Sequence, residues 1–83
     1  MKSDLLFEVG YHYNFDRDLF VNRRVKKAFS LEFVDDSSEE EIRQSLEEAT
    51  DGHSWRFYFH HQPSESARRA LEADLELESR EAA

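Results

Sequence analysis

Three groups of side chains in this 83-residue chain have types and spacing suited to chemistry: four histidines, a basic cluster and a dense acidic run. The histidines are His12, His53, His60 and His61. If His12 and His60 shared the wet face of neighbouring strands, two imidazoles with Glu8 would make an open Zn²⁺ site. Adjacent His60 and His61 point to opposite faces of a strand and do not share one ion. The plainer reading, polar residues on an exposed sheet face, is the expected one, so no metal and no cofactor is assigned. The basic cluster is "NRRVKKAF", residues 22–29, with Arg23, Arg24, Lys26 and Lys27. With Tyr58 as a stacking ring it would suit nucleic acid, but counterion release needs sustained basic contacts, and acids surround this one.

The acidic run is "VDDSSEEEIRQSLEEATDG", residues 34–52, with eight carboxylates against one cation. Ser38 stands three positions before Glu41, the spacing of a capping box, and Ser37 offers the same with Glu40. Ile42, Leu46 and Ala49 recur at helical spacing, and Gly52 is a suitable stop. A helix therefore spans this segment, and Glu40, Glu47 and Asp51 point away from Ile42 with Glu41 and Glu48 on the flanks. Carboxylates ~5–6 Å apart on successive turns present negative charge at a spacing near that of nucleic-acid phosphates. Such a face suits the basic groove of a partner protein, and electrostatic steering speeds the encounter. Its plainer reading is a solvated face that keeps a small domain in solution.

Catalytic signals are absent. There is no GxxxxGK[ST], GxGxxG or HExxH motif, and two glycines leave little for a phosphate-cradling loop. Several serines sit where helix capping explains them. The expectation is a protein that is not an enzyme.

The elements that must position these residues follow from periodicity. Leu5, Phe7, Val9, Tyr11, Tyr13 and Phe15 alternate, which predicts a first strand. "NFDRDLFVN", residues 14–22, predicts a turn or loop. Val25, Phe29, Leu31 and Phe33 predict a second strand, with Lys27 breaking the row. After the acidic helix, "SWRFYFHHQ" predicts a third strand with Trp55, Phe57 and Phe59 on one face and Arg56, Tyr58 and His60 on the other. Pro63 ends it and opens a second helix with Ala67, Leu71 and Leu75 as its apolar stripe. Residues 74–80 alternate like a strand but consist of helix formers, so helix is favoured, with a frayed tail from about residue 76. The order β-β-α-β-α predicts a single α+β domain over 1–83: a three-stranded, mainly antiparallel sheet with two helices on one face. Its unpaired edges invite a second chain, so a homodimer is a reasonable expectation.

Composition sets the remaining bounds. Without cysteine no disulfide staples the fold, so seven Phe, three Tyr and one Trp must supply the core, each burying roughly 150–250 Å². The net charge is −8. Residues 1–34 hold six cations and five anions, a net of +1, and residues 35–83 hold five and fourteen, a net of −9. That field disfavours nucleic acid and anionic lipid and favours basic partners. No apolar run reaches the ~20 residues of a membrane span, and the N-terminus lacks a signal-peptide core, so a cytoplasmic location is expected. Size, acidity and the missing enzyme motifs resemble the general type of phage or mobile-element inhibitors of host defence nucleases, including anti-CRISPR proteins and nucleic-acid mimics. The resemblance is one of size and charge and assigns no residues. It implies a small protein-binding inhibitor; the alternatives are a homodimeric regulatory or structural module and, third, a metal- or nucleic-acid-binding domain.

Overall fold

The computed structural model describes residues 1–49 and 54–82, with residues 78–82 described by their backbone. The elements are α1 (Lys2–Glu8), β1 (His12–Asn14), β2 (Leu19–Asn22), β3 (Lys27–Ser30), α2 (Leu31–Asp36), α3 (Glu39–Glu47), β4 (Arg56–Tyr58) and α4 (Glu65–Ala82). The fold is α+β, but the sheet has four strands in the order β1-β2-β3-β4. The first three form an antiparallel meander and β4 pairs parallel to β3. A parallel neighbour requires a crossover connection, and α2 with α3 provides it.

Both sheet faces are covered, where the sequence reading placed the helices on one. On one face Leu6 of α1, Val34 of α2 and Ile42 of α3 pack with Tyr11, Phe20 and Phe29. On the other, Leu71 and Leu75 of α4 pack with Leu19, Val21, Ala28, Trp55 and Phe57. Successive strand residues therefore serve opposite cores, as the pleat dictates. This is why Leu19–Asn22, read as loop, is a strand buried at all four positions. It is also why Tyr58, read as wet-faced, packs against the first core.

The expected first strand begins as a helix. Leu5 and Leu6 face the core from α1, while Phe7 and Val9 are 46 % and 48 % exposed. Gly10 ends the helix at φ +99°. Its N–H bonds the Phe7 carbonyl at 3.1 Å and the Tyr11 N–H bonds the Leu6 carbonyl at 3.0 Å. That is the paired closure of a Schellman cap, whose left-handed position glycine fills without a Cβ penalty. The second expected strand is likewise cut short at Ser30, whose side chain accepts from the Phe33 N–H at 3.1 Å and starts α2. Leu31 and Phe33 thus belong to a helix.

The two meander turns share one construction. Asn14 Oδ1 accepts from the N–H groups of Asp16 and Arg17 at 3.0 and 3.2 Å. Asn22 Oδ1 accepts from Arg24 and Val25 at 3.1 and 3.3 Å. Four residues after each asparagine a left-handed residue re-enters the sheet, Asp18 at φ 50° and Lys26 at φ 55°. Asparagine suits this because its short side-chain oxygen reaches the backbone two residues on.

The later elements agree more closely with their sequence. Ser38, not Ser37, caps α3, accepting from the Glu41 N–H at 3.1 Å; Ser37 is the buried C-cap of α2. Ile42 is fully buried and Leu46 half-buried, while Ala49 is exposed past the helix end. Asp51, Gly52 and His53 lie outside the described residues. Ser64 caps α4 through the Ala67 N–H at 3.2 Å, and residues 74–80 are helical. Among the described residues no helix is long and apolar enough to cross a membrane.

Candidate protein-binding surface

The acidic run is carried on α3. Ser38 fixes its start, and Glu39, Glu40 and Glu41 occupy its first turn, where the helix dipole favours anions. Ile42 and Ser45 turn inward, which leaves Glu40, Glu41 and Glu47 exposed. Arg43, the sole cation on this helix, lies 3.8 Å from Glu39.

Glu48 differs from the other acids. Its carboxylate accepts from the Tyr58 hydroxyl at 2.7 Å and from the Arg56 guanidinium at 3.2 Å. The Tyr58 hydrogen bond, with the Arg56 and Lys27 charges behind it, holds the Glu48 carboxyl below its ordinary range. Glu48 thus fastens the end of α3 to β4, although it remains half-exposed.

The basic cluster is dispersed by the β2–β3 turn. Lys27 is 2 % exposed and its ammonium donates to the carbonyl oxygens of Ser45, Leu46 and Glu48 at 3.1, 3.2 and 2.5 Å. These are the terminal carbonyls that a helix leaves without intrahelical partners. Burial pulls the Lys27 pKa down, and the Glu48 charge opposes that fall. Lys26 pairs with Glu76 at 2.8 Å, Arg23 meets the His12 ring at 3.0 Å, and Arg24 is exposed. The four cations do not present one surface. Arg56 and Tyr58, the partners of Glu48, were not singled out by sequence as partners of the acidic helix. The signal that could have found the Lys27 contact was its position in the apolar row of Val25 and Phe29.

The histidines are separated as well. His12 is on β1 and His60 follows β4, at opposite edges of the sheet, so the pairing that a shared Zn²⁺ required does not occur. His60 Nδ1 lies 3.4 Å from an Asp36 carboxylate oxygen, and its ring meets that of His61 edge-on at 4.5 Å. Among the described residues no three His, Asp or Glu side chains are grouped to hold a metal.

A feature absent from the sequence reading lies beside β1. Phe7, Tyr13, Phe15, Phe20, Leu31 and Val34 line an open groove of about 630 Å³, and Met1, Lys2 and Asp35 bring charge to the same lining. The rings meet at steep angles: Tyr13 with Phe15 at 87°, Tyr13 with Phe20 at 56° and Phe7 with Phe20 at 57°. Phe15 is 83 % exposed. The Tyr13 hydroxyl donates to Asp18 at 2.6 Å. That bond, and behind it the charges of Asp18 and Asp35, raise the phenol pKa above its ordinary value.

No family model matches the chain, and no curated protein or solved structure matches it.

Proposed function

We propose that this protein is a non-catalytic binding module for a basic protein partner, engaged through the acidic face of α3. The observation that carries this reading is the exposure of Glu40, Glu41 and Glu47 on a helix fixed at both ends, by the Ser38 cap and by Lys27 on the terminal carbonyls. Fixed carboxylates meet cations without first losing the freedom of a floppy chain. Asp51 continues the same face by sequence, and Glu48 contributes charge from its seat on Tyr58. A basic groove that handles nucleic acid is the partner such a face fits best. In function this makes the protein an inhibitor of the anti-CRISPR or nucleic-acid-mimic type, acting in the cytoplasm on a host defence protein.

The test is capture from host lysate on immobilised protein with stepwise salt elution, followed by nuclease assays on the eluted partner. A nucleic-acid-handling protein released by salt, inhibited by the wild type and not by the Glu40→Lys, Glu41→Lys, Glu47→Lys variant, supports the reading. Equal inhibition by the reversed variant, with its fold intact by circular dichroism, refutes it.

A homodimeric module is the second reading, favoured by β1 standing at an edge of the sheet. It predicts a mass of two chains in light scattering, unchanged by the charge reversals.

A further inference from the structure

We propose that the aromatic groove beside β1 receives an arginine side chain from a basic protein segment, its guanidinium over the Tyr13 and Phe15 rings and facing the Asp35 carboxylate. The inference shares with the proposed function the premise of a basic partner, but it concerns a different surface from α3.

Three features of the groove select this occupant. Its lining includes aromatic rings, and the exposed Phe15 ring beside Tyr13 offers a face on which a cation can lie. Asp18 and Asp35 place negative charge on the Tyr13 side of the groove, where both act on its phenol, while Met1 and Lys2 also line it. Asp35 lines the groove, and among the described residues no cation is paired with its carboxylate. The neighbouring Lys2 ammonium donates instead to the Asp35 backbone carbonyl at 2.7 Å.

An apolar side chain would fill the same space but would bury Asp35 beside it without a partner, which is unfavourable. A second copy of this chain fits less well. Each copy carries −8, and like charges of that size repel. Phe7, Phe15 and Leu31, at 46 %, 83 % and 36 % exposure, offer much less than the ~800 Å² per partner of a stable interface. Between the two basic side chains, arginine is favoured because its planar, weakly hydrated guanidinium stacks on rings and pairs with a carboxylate at once.

The test is an NMR titration of the full chain with acetylated hexa-arginine amide, run beside hexalysine and the neutral isostere hexacitrulline. The expected result is chemical-shift change centred on Phe7, Tyr13, Phe15 and Asp35. Arginine should bind at least five-fold tighter than lysine, and citrulline should leave the groove unmoved. Phe15→Ala and Asp35→Asn should each weaken binding at least five-fold, while the α3 charge reversals leave the groove shifts in place. Equal binding of arginine and lysine, or undiminished binding by both groove variants, overturns the proposal. Shifts confined to α3 overturn it too, and leave the acidic-face reading standing.

Discussion

The Lys27 ammonium reaches from β3 to the Ser45 carbonyl oxygen in the last turn of α3, at 3.1 Å. A central strand thereby closes the end of the helix that carries the acidic face. Replacing Lys27 with Met keeps the length of the side chain but leaves the buried Ser45 carbonyl and two part-buried ones without this donor. An unsatisfied buried polar group costs ~1–3 kcal/mol, and three carbonyls share this donor. Lys27→Met should lower unfolding stability by about 2–3 kcal/mol in urea denaturation. Arg24→Met, an exposed change on the preceding turn, should stay within about 0.5 kcal/mol.

All three tyrosines are held neutral beyond their ordinary range. Burial raises Tyr11, the Asp18 hydrogen bond raises Tyr13, and burial followed by the Glu48 hydrogen bond pushes Tyr58 up to about 12. An acid with a raised native pKa binds more protons in the folded than in the unfolded chain once pH passes ~10. Stability should therefore fall as pH rises from about 10 towards 12. Lys27, whose pKa is lowered, contributes the opposite slope as pH rises through its native value, so the Lys27→Met background isolates the tyrosine effect. Absorbance at 295 nm should show tyrosinate appearing together with the loss of helical circular dichroism. Full ionisation near pH 10 in a chain that is still folded would contradict the tyrosine contacts.

Legibility from sequence followed how directly a residue's neighbours along the chain determine its surroundings. Ser38 and Ile42 needed little beyond helical spacing, and the acidic helix lies where that spacing put it. Trp55 and Phe57 share a core with Leu75, as strand alternation required. The N-terminus misled because Leu5, Phe7 and Val9 alternate by chance on a helix, while Leu5 and Leu6 set its buried side. Gly10, awkward in the interior of a strand, was the residue arguing for a helix end. Residues 19–22 carry no strand signal in the sequence, because a strand buried on both faces has no alternation. The groove beside β1 was illegible for another reason. It brings Phe7, Phe15 and Leu31 together from three parts of the chain, and no local period encodes that.

Asn14 and Asn22 perform equivalent tasks in the two meander turns, so their removal gives a matched pair. Each side-chain oxygen accepts two backbone N–H groups. Asn14→Ala and Asn22→Ala should each lower stability by about 1–2 kcal/mol. The Asn22 effect should be the larger, because Asn22 is buried and its amide also donates to the Val9 carbonyl at 3.4 Å. Thermal unfolding of the two variants and their double would check both the ranking and the additivity expected for separate turns.

The carboxylates of α3 divide into two kinds that a single pair of experiments separates. Glu40, Glu41 and Glu47 are exposed, and substituting all three by Gln should shift stability by about 1 kcal/mol or less, since only the first-turn pair interacts favourably with the helix dipole. Glu48 holds Tyr58 and Arg56, so Glu48→Gln should be the costliest single acid-to-amide change on the helix. The same contacts depress the Glu48 pKa, which gives the effect a pH signature. Its stabilising contribution is complete above the ordinary carboxyl value of 4.5 and is lost as pH falls through the lowered native value. The difference in stability between wild type and Glu48→Gln should therefore be constant near neutrality and shrink below pH 4.5. A difference that is independent of pH down to acid unfolding would show that Glu48 acts there by shape and not by charge.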